Sequence, residues 1–204
     1  MECVAFFGWG HVPRSLHSQK SPCLRHRKIF PNLLNVKNVP EQSVDGDLNL
    51  FSDLGAWSGY ALPVNQSRAF AGAFIGPMTM HGRGWIAQTL AQPTLVVNGE
   101  KYDLVRNMQT AKYLPGKLIQ HFKDAQLEFT TELCFATSRT AFVRSVITNL
   151  SDTPLNVSLT WSGGVFEENT IALRWIRASG SIVRSTVAVG EPIARLSHCV
   201  TNRR

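Results

Sequence analysis

Closely spaced cysteines are missing from this chain. Cys3, Cys23, Cys134 and Cys199 are scattered over 204 residues, and no two stand in CxxC spacing. That excludes a zinc knuckle and a vicinal redox pair. Cys134 falls inside an alternating apolar stretch, where it reads as a buried thiol acting as a small hydrophobe. Long apolar runs are missing too: none reaches the roughly 18–20 residues that a membrane-spanning helix needs. The opening Met1-Glu2-Cys3-Val4-Ala5-Phe6-Phe7-Gly8 carries an acid near the front and no basic region, so it does not read as a secretory signal. GxGxxG, GxxxxGK[ST] and GxSxG are absent, and with them the phosphate cradles and the serine-hydrolase elbow. His81-Gly82-Arg83-Gly84-Trp85 has none of these spacings and reads as a tight turn. No cofactor and no metal site are expected.

A basic face is also missing from the patterned part of the chain. The formal charge is +7. Residues 1–30 hold five Lys/Arg against one acid, residues 171–204 hold six against one, and residues 31–170 hold ten against twelve. Nucleic-acid binding needs clustered positive charge on the folded body, and that body is mildly acidic. The same boundaries divide the chain by pattern. Residues 1–30 are rich in His, Arg, Ser and Pro without a period and read as an irregular basic leader. Residues 31–170 read as the folded domain. Residues 171–204 lose the pattern and form a basic tail, with the change in composition that a shifted reading frame or a truncated gene model would give.

What is present in quantity is strict alternation. Leu127, Phe129, Leu133 and Phe135 share one side of a period of two, with Glu128, Thr130 and Glu132 on the other. Thr137-Ser138-Arg139 breaks the run, Ala141–Ile147 is a second apolar stretch, Asn149–Pro154 is a turn, and Leu155, Val157, Leu159 and Trp161 alternate again. Alternation of this kind marks strands with one wet and one buried face, and short links make them antiparallel. Leu95-Val96-Val97, then Asn98-Gly99, then Lys101–Val105 is a hairpin signature, because a type I′ turn needs positive φ at both central positions. Leu114-Pro115-Gly116 is a further turn leading into Leu118–Phe122. The fold class is all-β, an antiparallel β-sandwich with irregular ends. Asn65, Asn149 and Asn156 open glycosylation-type triplets, which occur often by chance.

Several of these segments together resemble a known family. Phe51-Ser52-Asp53-Leu54-Gly55-Ala56-Trp57-Ser58-Gly59 with Leu62-Pro63, then Asn98-Gly99-Glu100-Lys101, Leu114-Pro115-Gly116-Lys117-Leu118 and Phe135-Ala136-Thr137-Ser138-Arg139-Thr140, are similar to motifs of bacterial glycoside hydrolase family 63 proteins of the glucosidase type. Ser58 stands where a His is common and Ser138 where a Pro is usual. The resemblance covers about Asn35 to Glu168. It implies an N-terminal sandwich of the super-β-sandwich type, incomplete here, that packs against a catalytic (α/α)6 barrel. The barrel carries the two carboxylates of an inverting hydrolase of α-linked sugars. It implies a periplasmic or extracellular parent. No helical array follows in this sequence, so the barrel is the missing partner and the chain alone is expected to be inactive.

Two readings of the 51–60 segment stand side by side. Asp53, set among Phe51, Leu54 and Trp57, is either a turn acid that accepts backbone N–H bonds or, with Trp57 and Tyr60, part of the rim of a sugar cleft. An aromatic face for sugar CH groups beside an acid for its hydroxyls is suitable chemistry for carbohydrate. Rival functions are a free-standing carbohydrate-binding module and a non-functional remnant. A sheet without its partner strands leaves an open edge, so self-association of the isolated chain is expected.

Overall fold

A computed structural model describes residues 31–46, 49–64, 68–80 and 84–166, and the backbone of three further strands, Glu2–Gly8, Ala172–Arg177 and Val183–Ala188. In chain order the strands are β1 Glu2–Gly8, β2 Ser58–Ala61, β3 Ile75–Thr79, β4 Gly84–Trp85, β5 Ala87–Val97, β6 Glu100–Lys101, β7 Met108–Leu114, β8 Lys117–Lys123, β9 Leu127–Thr137, β10 Thr140–Asn149, β11 Val157–Val165, β12 Ala172–Arg177 and β13 Val183–Ala188. One sheet runs β1-β10-β9-β8-β7 and a second β11-β5-β3-β2, with β4 on β3 and β6 on β5; β12 and β13 pair with each other. All pairings are antiparallel except a short parallel contact between β3 and β5. The molecule is the expected β-sandwich. Two stretches that carry no clean alternation are nevertheless strands: Glu2–Gly8 lies on the edge of β10, and Ala172–Arg177 pairs with Val183–Ala188.

Turn chemistry sets the registers. Asn98 and Gly99 both have positive φ, 51° and 88°, as the type I′ reading requires. The strand expected over Lys101–Val105 is shorter, ending at Lys101, because the Asp103 carboxylate accepts the Arg106 N–H at 3.0 Å and turns the chain. Asp124 Oδ1 accepts the N–H groups of Gln126 and Leu127, both at 2.8 Å, at the β8–β9 corner. Asn149 builds the β10–β11 turn by accepting Ser151 N–H at 2.9 Å and donating to Thr153 O at 2.7 Å. His81, Gly82, Arg83 and Asn65 lie outside the described residues.

Three cross-strand rows on the inner face of the first sheet explain the core. Leu118, Leu133 and Val143 face one another; next come Gln120, Thr131 and Ser145; then Phe122, Phe129 and Ile147. The outer two rows anchor separate apolar clusters, one with Phe51, Tyr60, Phe74 and Phe135, the other with Leu95, Tyr102, Leu159 and Trp161. The middle row is polar and fully enclosed, with Gln120 at 0 % exposure. Gln120 accepts the Gly72 N–H at 3.2 Å and donates to Ala73 O at 2.6 Å. Ser145 Oγ donates to Thr131 Oγ1 at 3.4 Å. The partner of Gln120 is a turn of small residues, Ala71-Gly72-Ala73, in which a Cβ on Gly72 would lie 2.7 Å from the Pro93 ring. A side chain there would push the layers apart, and its left-handed φ of 83° also favours glycine.

Two expectations change. Glu132 lies on the face expected to be wet, yet it is buried and held by Lys117 Nζ at 2.7 Å and Arg144 Nη1 at 3.2 Å. A buried carboxylate persists only when paired and hydrogen-bonded, and two cations flank this one. Cys134, on the same face, is buried as expected but is disulfide-bonded instead of a free thiol.

Replacing Gln120 by Leu keeps side-chain bulk but strips one buried N–H and one buried C=O of their partners. We expect a loss of about 2–4 kcal/mol. Urea unfolding of the full chain should show a lower midpoint at unchanged slope. An unchanged midpoint would show that the amide clasp does not carry the interlayer contact.

Candidate functional site

Three connections meet at one end of the sandwich: the 52–57 loop, the β9–β10 tip at Ser138-Arg139, and the β7–β8 tip at Pro115-Gly116. The loop enters through Phe51, which exchanges backbone bonds with Tyr60 at 2.7 and 2.9 Å. Asp53-Leu54-Gly55-Ala56 closes as a tight turn, with Ala56 N–H donating to Asp53 O at 3.0 Å. Leu54 and Gly55 both sit at positive φ, 53° and 64°, the mark of a type I′ turn. Leucine is an unfavourable residue in that conformation, because its Cβ crowds the following carbonyl. Its side chain nevertheless points to solvent, 59 % exposed.

Asp53 Oδ1 accepts the Leu54 N–H at 2.7 Å, which is the turn-acid geometry. Its other carboxylate oxygen faces Gly116, where a Cβ would lie 3.7 Å from it. Trp57 follows. Its N–H donates to Ser138 O and its carbonyl accepts Met80 N–H, both at 2.9 Å, so its backbone is clamped between two neighbouring segments. The indole is 60 % exposed, and the Arg139 guanidinium lies over it at 5.7 Å from the ring centroid. Electrostatic attraction between a cation and the ring face fixes the indole's orientation without burying it.

Of the three residues singled out in the sequence, the structure places Asp53 and Trp57 on one exposed loop and Tyr60 elsewhere. Tyr60 is buried at 4 % exposure, with its ring 5.9 Å from that of Phe135. Burial pushes its phenol above the ordinary tyrosine range, so it stays neutral. Tyr60 thus holds the loop from beneath. Arg139 is the member that sequence reading missed. Its tripeptide Thr137-Ser138-Arg139 signals only a turn, and its meeting with Trp57 across 82 positions comes from sheet packing.

Five other acids of the described body, Asp45, Asp103, Asp124, Glu128 and Glu132, are engaged in structural work. Asp45 accepts the Glu41 and Gln42 N–H groups, Glu128 pairs with His121 at 2.8 Å, and Glu132 bridges its two cations. Among the described residues no group of three or more His, Cys, Asp or Glu could hold a metal ion, and no helix is long and apolar enough to cross a membrane. A separate hollow of about 370 Å³ is lined by Ala69, Phe70, Thr89, Gln92, Ser162 and Gly163, away from Trp57.

Compared with known protein families, residues 35–176 match the one described as glucosidase YgjK, N-terminal.

The turn itself can be tested. Leu54→Gly relieves the left-handed strain while deleting only an exposed side chain, so stability should rise by about 0.5–1 kcal/mol. Thermal or urea unfolding reads the change, and a destabilised variant would mean that Leu54 makes a contact worth more than its strain.

Proposed function

Because this chain belongs to the family of glucosidase YgjK N-terminal domains, whose parent proteins carry a catalytic domain as well, we propose that residues 31–170 form a non-catalytic support that packs against that domain and shapes one rim of its sugar cleft. The parent activity is α-glucosidase-like hydrolysis of the family 63 type. In that chemistry one carboxyl protonates the leaving oxygen and the other activates water. The two stand roughly 6.5–9.5 Å apart to leave room for the water molecule. Both belong to an (α/α)6 barrel, and the chain alone is inactive.

The observation that carries this reading is the rigidly mounted, exposed Trp57 with Asp53 beside it on the same loop. A large aromatic ring is costly to leave in water, and exposed aromatic surface of this kind is characteristic of binding sites. Trp57 offers a flat apolar face to the CH groups of a sugar ring. Asp53 keeps one carboxylate oxygen toward the loop backbone and has a second with which to accept a sugar hydroxyl. Arg139 adds guanidinium donors above one face of the indole, leaving the other face to the sugar. Tyr60 contributes from below, by fixing the path of the loop. The same exposed ring also suits a self-sufficient carbohydrate-binding module, and binding by the isolated chain is what separates the two readings.

In the parent glucosidase, Trp57→Ala should raise KM for an α-linked disaccharide by about tenfold, equivalent to about 1.4 kcal/mol of lost stacking. It should leave kcat within about twofold, because the reacting carboxyls are untouched. Unchanged KM would remove Trp57 from the cleft. Calorimetry of the isolated chain with the same disaccharide should show no heat of binding at millimolar ligand, and measurable binding there would favour the independent module.

A further inference from the structure

Among the described strands, β11 lies at the edge of its sheet. β11 pairs with β5 on one side, and no other described strand lies on its far side. Asn98 N–H donates to Asn156 O at 2.8 Å, which fixes Asn98 and Asn156 as a hydrogen-bonded pair. The bonded positions then alternate through Ser158, Thr160 and Ser162, opposite Val96, Thr94 and Gln92. Two details agree with this phase. Trp161 faces Pro93, which has no N–H to give, and Leu95 O turns away from β11 to accept Tyr102 N–H at 2.8 Å. The N–H and C=O groups of Val157, Leu159 and Trp161 therefore point outward along the open edge.

Two other edges of the sandwich are protected. β7 carries Lys112, and Asn32 exchanges two bonds with Tyr113, at 2.9 and 3.0 Å. Beside β2, Phe51 and Val36 bond to Tyr60 and Leu62. Natural sheets usually blunt an exposed edge with charge, proline or an irregularity. Val157-Ser158-Leu159-Thr160-Trp161-Ser162 has neither charge nor proline, and its register breaks only after Ser162.

The strand is also complementary to itself. A two-fold axis through Leu159 sets Leu159 against Leu159 of a second copy, Val157 against Trp161, and Ser158 against Thr160. Every pair joins residues of like character. The core-side row is apolar, since Leu159 and Trp161 belong to the buried cluster and Val157 packs on it, and the solvent-side row is all hydroxyl. About six backbone hydrogen bonds would form, two for each outward-facing pair. We propose that β11 is a homodimerisation edge, on which a second copy of this chain docks antiparallel about Leu159 and joins the two sheets into one. A closed, isologous contact of this kind ends at the dimer. It does not depend on the sugar-cleft reading of Trp57.

An edge of six residues buries far less than the area of a stable interface, so the dimer is weak and is sought at high concentration. Sedimentation velocity on the full chain from about 1 µM to about 200 µM should show a dimer growing with concentration. Hydrogen exchange at the upper end should slow the Leu159 and Trp161 amides. Ser158→Lys with Thr160→Lys sets like charges across the two-fold and should weaken dimerisation at least about tenfold. Ser158→Lys with Thr160→Glu sets opposite charges there and should restore it. Both variants alter only the solvent-side row, and comparing them cancels any common effect on folding. A monomer throughout that concentration range, or two variants that associate equally, would overturn the proposal. So would a dimer in which the Leu159 and Trp161 amides exchange as fast as in dilute protein.

Discussion

The amide of Gln120 ties the first sheet of this sandwich to the Ala71-Gly72-Ala73 turn that leads into the second. Between two apolar clusters the chain inserts a turn of small residues, Ala71-Gly72-Ala73, close enough that its backbone loses access to water. Backbone N–H and C=O groups in such a place need partners, since leaving one unpaired costs about as much as a whole mutation usually does. Gln120 supplies one acceptor and one donor from a single side chain. Thr131 and Ser145 continue the polar row, and their small side chains leave room for the turn. The core is thus two apolar bodies separated by a hydrogen-bonded seam, and the seam dictates which part of the second layer faces which part of the first.

The exposed loop depends on that arrangement. Leu118, Leu133 and Val143, on one side of the seam, belong to the cluster that receives Phe51, Tyr60 and Phe135. Phe51 lies before the 52–57 loop and Tyr60 after it, and both rings pack against Phe135 at 5.5 and 5.9 Å. A loop anchored in the core at both ends, and clamped through the Trp57 backbone in its middle, has little freedom left. Asp53 and Trp57 are therefore presented on a rigid mount, which is what a binding group on a loop requires. The one unfavourable backbone position, Leu54, sits at the tip, where surrounding contacts fix the turn regardless of its preference.

The far side of the seam produces the opposite situation. Leu95, Leu159 and Trp161 build the second cluster, and β11 lends its side chains to it while no other described strand lies along its outer backbone. The strand is stable because its inner row is buried, and available because its outer edge is not. A domain family associated with a larger glucosidase is a natural setting for surfaces that await partners, and this sandwich offers two kinds: a mounted aromatic on the 52–57 loop and a β11 edge beside which no other described strand lies.

The alternation of Leu127–Phe135 and Leu155–Trp161, the positive-φ pair Asn98-Gly99 and the Asn149 turn are local facts, and the strands and hairpins could be read from them because a period of two and a turn type are properties of neighbouring residues. The choice between a turn acid and a rim acid at Asp53 was legible only as far as its turn. Glu132 shows the limit on a single strand: its position on the outward row was evident, but its burial between Lys117 and Arg144 depends on strands before and after it. Tyr60 and Trp57, three residues apart and both aromatic, go to opposite sides of the protein surface. Nothing in their order separates them; the separation comes from Phe135 and Ser138 arriving from another strand and its tip. Short-range pattern determined most strands of the central body and their turns, though not the strands Glu2–Gly8 and Ala172–Arg177. Contacts between residues distant in the chain decided which rings are core, which acid is paired, which glutamine is a clasp and which edge is left open, because those outcomes depend on what the second layer places opposite each side chain.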